Sequence, residues 1–205
     1  MPARLALERG DWSTAAQLQQ PGSNFPHCEA ITTFARAFGA ARKGDLAAAE
    51  QEAQRLEAQQ KALVEAKNNY WAGEVEVQRL TVSAWVAQAR GQNDEALRLM
   101  RAAADAEDKR EKHIVTPGRV LPARELLGDM LMELKQPSAA LKEYEQSQLR
   151  EPNRLRGYAG AGAAAEAAGE RDKARAHYAK LVELTREADT PLPEITRAKT
   201  FLASR

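Results

Sequence analysis

One short phrase recurs five times along the chain, and its spacing constrains the fold more than any other feature of the sequence. In each copy a turn is followed by polar residues that can begin a helix and then by an alanine. These alanines are Ala15, Ala49, Ala96, Ala140 and Ala174, separated by 34, 47, 44 and 34 residues. The longer intervals exceed 34 by 13 and 10 residues, which indicates one repeat length with two insertions. The spacing therefore predicts a stacked array of repeat units.

Each unit is predicted to be a pair of antiparallel helices. In the clearest unit, apolar residues recur at helical spacing over 126–134 and again over 140–149. Lys135 and Gln136 form the turn between the two segments. Pro137 suits the first turn of the second helix, where its missing N–H removes no hydrogen bond.

The turn chemistry of the other units and the composition support the same architecture. In those units a glycine ends the first helix, and Asp11, Asp45 or Asp172 offers an N-cap for the second. Hydrophobic residues make up 43% of the chain and aromatic residues only 5%. Alanine dominates the apolar residues, as is typical of helix-rich proteins. We predict an all-α protein with more than about 60% helix and essentially no strand, well above the usual helix content.

Two units carry a pattern of small, aromatic and proline residues in matching order and spacing. The unit 121–154 has Leu127, Gly128, Leu131, Ala140, Tyr144, Ser147 and Pro152 at the pattern positions. The unit 155–188 has Tyr158, Ala161, Gly162, Ala174, Tyr178 and Leu181. In this the chain resembles the tetratricopeptide repeat, and it is similar to the C-terminal portion of larger bacterial proteins that contain such repeats. The resemblance implies an α-α superhelix, a right-handed solenoid of antiparallel helix pairs.

We predict a single solenoid domain over 1–205 that ends in a capping helix. It comprises a partial unit 1–29, units 30–63, 77–110, 121–154 and 155–188, insertions 64–76 and 111–120, and a capping helix 191–203. The cap carries an apolar stripe, which arrays of this kind need to cover their last exposed face. Because the first unit is incomplete, we expect a piece of a longer protein, soluble and located in the cytoplasm or the periplasm.

The first insertion contains the segment 67–73. We predict that the second helix of the preceding unit runs on by two or three turns and then turns at Asn68 and Asn69. Tyr70 and Trp71 either cover the end of that extension or form an interaction patch, because aromatic residues are enriched at interfaces.

Several classes of function are disfavoured by the sequence. The net charge of +1 argues against a general nucleic-acid binder, and no apolar run approaches the ~20 residues of a membrane span. A single cysteine, Cys28, excludes an internal disulfide and a cysteine-built zinc site. The glycines of 157–162 follow no strand, so they indicate helix packing and not a nucleotide loop. We expect no catalytic residues, no metal and no cofactor.

The resemblance implies that an extended peptide binds the concave face, which the leading helix of each unit lines. The repeat phase places Phe38 and Trp85 on that face, followed by an acidic stripe of Glu125, Asp129 and Glu133. We interpret these residues as a groove for a protein or peptide with basic and apolar side chains. The alternative is a solvated face beside a partly buried tryptophan. Lysine and asparagine, which clamp a chaperone carboxylate in some family members, are absent from these positions.

The second insertion, 111–120, is either a connector or a loop that contacts a partner. Its His113 and Arg119 are predicted to border the groove. His113 has no second histidine or cysteine at ligand spacing, so metal binding is not expected.

The sequence thus predicts a non-catalytic scaffold for protein–protein interaction. The alternative is a structural or oligomerisation module that closes the C-terminal end of a larger repeat protein, by forming a homodimer or by docking on upstream repeats.

Overall fold

The computed structural model describes residues 2–111, 119–190 and 192–204. It is all-α: 77% of the described residues are helical, and none of them lies in a strand. The predicted all-α class and the predicted high helix content are confirmed, and the right-handed superhelix stays a prediction.

The described residues form helices that follow one another through short turns. They are α1 Pro2–Glu8, α2 Trp12–Ala16, α3 Pro26–Lys43, α4 Leu46–Glu65, α5 Asn69–Ala89, α6 Asn93–Asp108, α7 Ala123–Glu133, α8 Pro137–Arg150, α9 Leu155–Ala167, α10 Arg171–Leu184 and α11 Pro193–Ala203. The chain divides into two compact units, Met1–Ala123 and Arg124–Arg205. The single domain over 1–205 stays a prediction.

The first unit contains α1 to α6, which pack in chain order. α3 packs against α4, α4 against α5, and α5 against α6. α3 also contacts both α1 and α5, so the leading helices of successive pairs lie side by side. These contacts are consistent with a helical array.

The second unit is built in the same way. α9 packs against α8 and α10, and α10 packs against α11. α11 also contacts α9, which places these two helices side by side. Ile195 and Ala198 of α11 are buried, and the ring of Phe201 lies 5.1 Å from that of Tyr178. The predicted apolar stripe of the cap is therefore in contact with the unit, although α11 begins at Pro193 and Pro191 lies outside the described residues.

The predicted turn chemistry is confirmed at most positions. Gly44 ends α3 at a φ of +80°, a conformation that favours glycine. The carboxylates of Asp11 and Asp45 accept hydrogen bonds from the backbone N–H three residues later, at 3.0 and 3.1 Å. The predicted N-cap at Asp172 is wrong. Glu170 occupies that position, and Asp172 lies in the first turn of α10.

The first insertion is shared between two helices. α4 ends at Glu65, and the turn is made over 66–68 with Lys67 in the left-handed conformation. α5 then begins at Asn69 and runs for 21 residues, compared with 13 for α9. The second helix is extended as predicted, but the following helix is extended as well. The turn predicted at Asn68 and Asn69 lies earlier, because Asn69 is already the first residue of α5. Two long helices therefore lie in the first unit.

Glycines at the helix contacts of the second unit allow close approach. A Cβ atom at Gly128 or Gly160 would lie 2.7 or 2.4 Å from the ring of Tyr144. A Cβ atom at Gly162 would lie 2.5 Å from the ring of Tyr178. The segment 157–162 is part of α9, so these glycines serve helix packing, as predicted.

Candidate interaction surface

Phe38 and Trp85, predicted to line the groove, form part of an aromatic cluster in the first unit. Their rings meet edge to face at 5.3 Å, and Trp12 packs on Phe38 in the same manner at 5.4 Å. Phe38 is only 1% exposed and Trp85 only 3%. Both side chains therefore lie beneath the surface and not on it.

Arg42 covers this cluster. Its guanidinium carbon lies 4.4 Å from the ring centre of Trp85 and 5.3 Å from that of Trp12. Contact with two aromatic faces stabilises a cation, by up to about 2 kcal/mol when it is desolvated. A molecule approaching the cluster would meet the half-exposed Arg42 first.

Arg119, predicted to border the groove, is 9% exposed and belongs to a buried ion pair in the first unit. Its Nε lies 3.4 Å from Oε1 of Glu107, and its Nη2 donates to the Glu107 carbonyl at 2.8 Å. The other carboxylate oxygen of Glu107 accepts a hydrogen bond from the backbone N–H of Ala123 at 2.8 Å. Arg4 donates to the carbonyl of Arg119. The other loop residue of this prediction, His113, lies outside the described residues.

A small cavity of about 20 Å³ lies beside this ion pair. It is lined by α3, α5, α6 and the segment 119–121, and it includes Phe34, Glu74 and Leu121. Burial raises the pKa of Glu74, and the charges of Arg119 and Arg110 oppose that shift. The lining thus combines apolar side chains, such as Phe34 and Leu121, with the carboxylate of Glu74.

The acidic stripe of the second unit begins with a residue that is not on the surface. Glu125 is 1% exposed, and Arg154 donates to its two carboxylate oxygens at 2.8 and 3.2 Å. Burial raises the pKa of Glu125, while the hydrogen bond and charge of Arg154 lower it. A bidentate pair of hydrogen bonds from one guanidinium offsets much of the desolvation penalty of a buried carboxylate.

The next member of the stripe, Asp129, is also paired. Its Oδ1 accepts a hydrogen bond from the hydroxyl of Tyr144 at 2.6 Å, and its Oδ2 accepts one from Arg156. Glu133 is exposed. The interpretation of three solvated carboxylates is therefore corrected, since arginines near the start of α9 pair with Glu125 and Asp129.

Sequence reasoning missed a cleft between α9 and α11. It is open, encloses about 580 Å³, and is lined by Glu166, Pro193, Thr196, Arg197, Thr200, Phe201 and Ser204. Arg197 lies 2.9 Å from the Glu166 carboxylate, which also accepts a hydrogen bond from Tyr178 at 2.8 Å. The sequence did carry one indication of this cleft, because polar residues of α11 recur at helical spacing opposite its apolar stripe.

Aromatic rings near the first insertion form a stack. His27 lies on Trp71 at 4.4 Å with an angle of 12° between the rings, and Tyr70 meets Trp71 edge to face at 5.0 Å. On the other side of His27 is Phe25, at 5.8 Å, whose side chain is 62% exposed. Of the two interpretations of Tyr70 and Trp71, the ring contacts favour packing.

Two further results concern groups that could carry other functions. Among the described residues, no cluster of three or more histidine, cysteine or carboxylate side chains has metal-binding geometry. Within the same residues no helix combines the length and the apolar character needed to cross a bilayer.

Comparison of the chain with protein-family models, with curated proteins and with solved structures finds no match. The resemblance to the tetratricopeptide repeat therefore rests on the sequence pattern, and the sequential helix pairing is compatible with it.

Proposed function

We propose that the chain is a non-catalytic scaffold for protein–protein interaction, a right-handed solenoid of the tetratricopeptide type. One observation carries this proposal: leading helices lie side by side within each unit, α1, α3 and α5 in the first and α9 and α11 in the second. Rows of leading helices provide an extended surface, as repeat proteins use for binding.

Partly buried polar contacts support this role because they join neighbouring helices. In the second unit Tyr144 of α8 bonds to Asp129 of α7, and Arg156 of α9 bonds to the same carboxylate. Three helices are thus joined at one residue. A rigid framework reduces the entropy that binding an extended partner would otherwise cost.

The surface that we assign to the partner lies in the second unit. It comprises the exposed Glu133 of α7 and the open cleft beside Glu166, where Phe201 supplies apolar surface. Such a surface suits an extended peptide with basic and apolar side chains. The buried Phe38, Trp85 and Glu125 support the framework under this proposal and do not contact the partner.

The test is selection of random peptides on the immobilised chain. We expect enrichment of sequences that combine basic and apolar residues, and at least tenfold weaker binding of those peptides by Glu133→Lys. Glu187→Lys is the matched control, because Glu187 is exposed and lies beyond α10. Selection without any sequence preference, or equal binding by Glu133→Lys, would contradict the proposal.

The alternative is a structural or oligomerisation module. It is favoured by large apolar side chains that are exposed, Leu5 on α1 and Leu149 on α8. Light scattering during gel filtration separates the two proposals. A dimer that dissociates in Leu149→Ser would favour the module, and a monomer at all concentrations would favour the scaffold.

A further inference from the structure

The segment 119–121 is unlike an ordinary connector. Connecting segments run over the protein surface, because their backbone polar groups need water. Here Arg119 and Leu121 are buried although neither belongs to a helix. The side chains lie against α5 and α6, and the cavity beneath them is bounded by Phe34 of α3. A non-helical segment of the chain, bent at 120 and 121, therefore covers this part of the first unit.

The place that the segment covers requires a cation. Glu107 is buried, and Glu74 lines the same cavity. A buried carboxylate is strongly disfavoured without a partner, because breaking a buried ion pair leaves its charge uncompensated. Arg119 supplies the compensating charge at 3.4 Å from Glu107. A segment without a cation in this place would lose that ion pair and the hydrogen bond to the Glu107 carbonyl.

The contacts discriminate between arginine and lysine. Besides the ion pair, the Nη2 of Arg119 donates to the carbonyl of Glu107 at 2.8 Å and lies 3.4 Å from that of Arg110. A planar guanidinium carries donors on separate nitrogens, so Nε faces the carboxylate while Nη2 faces the carbonyl oxygens. The ammonium of lysine has all three donors on one nitrogen and does not match this planar arrangement. Two residues further on, Leu121 lines the same cavity together with Phe34 and Val77.

We propose that this part of the first unit is a recognition site for an extended peptide with the pattern arginine, apolar, apolar, and that Arg119-Val120-Leu121 occupies it as an internal ligand. The inference rests on the proposed scaffold function and adds to it the chemistry of one partner segment. A partner segment with the same pattern would bind by displacing the internal one. The internal segment therefore weakens binding to such partners.

The test uses the full chain and a fluorescent seven-residue peptide, Gly-Arg-Val-Leu-Pro-Ala-Gly. Arg119→Ala combined with Leu121→Ser weakens the internal ligand, and we expect this variant to bind the peptide at least tenfold more tightly than the unmodified chain. Adding Glu107→Gln to this variant should return its affinity for the peptide to that of the unmodified chain. A peptide with lysine in place of arginine should bind the Arg119→Ala, Leu121→Ser variant at least tenfold more weakly than the arginine peptide does. Arg98→Ala is the control, since Arg98 is an exposed arginine of α6 that is paired with Glu95.

A second measurement needs no variant and so does not depend on whether the variant folds. In the unmodified chain the N–H of Ala123 is hydrogen-bonded to Glu107, so its exchange with solvent is slowed. Excess peptide should accelerate that exchange at least threefold, whereas the lysine peptide should not. Unchanged exchange, or equal effects of the two peptides, would overturn the proposal.

The two proposals fail in different ways. If random peptides are selected by the second unit but the arginine peptide does not bind the first, only the internal-ligand inference is wrong. If no peptide of either kind binds, the scaffold proposal is wrong as well.

Discussion

The hydroxyl of Tyr144 donates a 2.6 Å hydrogen bond to the carboxylate of Asp129, and Tyr178 makes the equivalent bond to Glu166 at 2.8 Å. In both cases a tyrosine on the second helix of a pair reaches an acid on the first. Burial, together with the adjacent carboxylate, raises the pKa of both tyrosines above the usual value. Both hydroxyls therefore remain protonated and act as donors.

Tyr144→Phe should lower the free energy of unfolding by about 2 kcal/mol, because the hydrogen bond to a charged acceptor is lost. Urea denaturation measures the change. Tyr158→Phe is the control: Tyr158 is half-buried and should change stability by less than about 0.5 kcal/mol. Equal stability of the two variants would show that the Tyr144 hydroxyl contributes little.

Glu125→Lys should destabilise the protein by about 3 kcal/mol or more, because it places a cation beside Arg154 in a buried position. If Glu125 instead lay on the surface, as the groove interpretation placed it, the thermal melt would be nearly unchanged. Glu133→Lys, on the same helix but exposed, should change stability by less than about 0.5 kcal/mol. Thermal denaturation followed by circular dichroism compares the two, and equal melting temperatures would contradict the buried position of Glu125.

Glu74 should make the stability of the protein fall with rising pH. Because burial raises its pKa above the ordinary value of 4.5, the folded state holds the proton more tightly than the unfolded state. Stability is therefore lost as pH rises from the unfolded pKa through the folded one, and Glu74→Gln should gain stability relative to the unmodified chain between pH 4 and pH 7.

Melting temperatures at those two pH values measure this difference. An advantage of Glu74→Gln that is equal at pH 4 and pH 7 would show that the pKa of Glu74 is not raised. Glu187→Gln, at an exposed position, is the control and should show no pH-dependent difference.

Gly160→Ala should destabilise the protein by about 1–3 kcal/mol, since its Cβ atom would lie 2.4 Å from the ring of Tyr144. Helix propensity alone would favour alanine by about 1 kcal/mol. In a Tyr144→Ala background the clash is absent, so the same change should become stabilising. A double-mutant cycle from denaturant unfolding tests the change of sign, and additive effects would contradict the close contact.

The candidate surface was only partly predictable. The repeat phase places Asp129 and Glu133 on one side of a helix, because i and i+4 positions are neighbours in any α-helix. The repeat phase gives no information on the arginines that pair with these acids. Arg154 pairs with Glu125, and Arg156 pairs with Asp129, from positions 29 and 27 residues further along the chain. Ion pairs over such separations depend on how helices pack.

The sequence by itself determined the helix pairs, their order and most of their turns. Period, turn residues and caps act over a few residues, so a left-handed Gly44 or a capping Asp45 can be identified without the rest of the chain. Only the tertiary structure decided which of the leading-helix side chains remain accessible. Trp12 and Trp85 pack on Phe38, and Glu107 pairs with Arg119, because folding brings residues that are distant in sequence into contact.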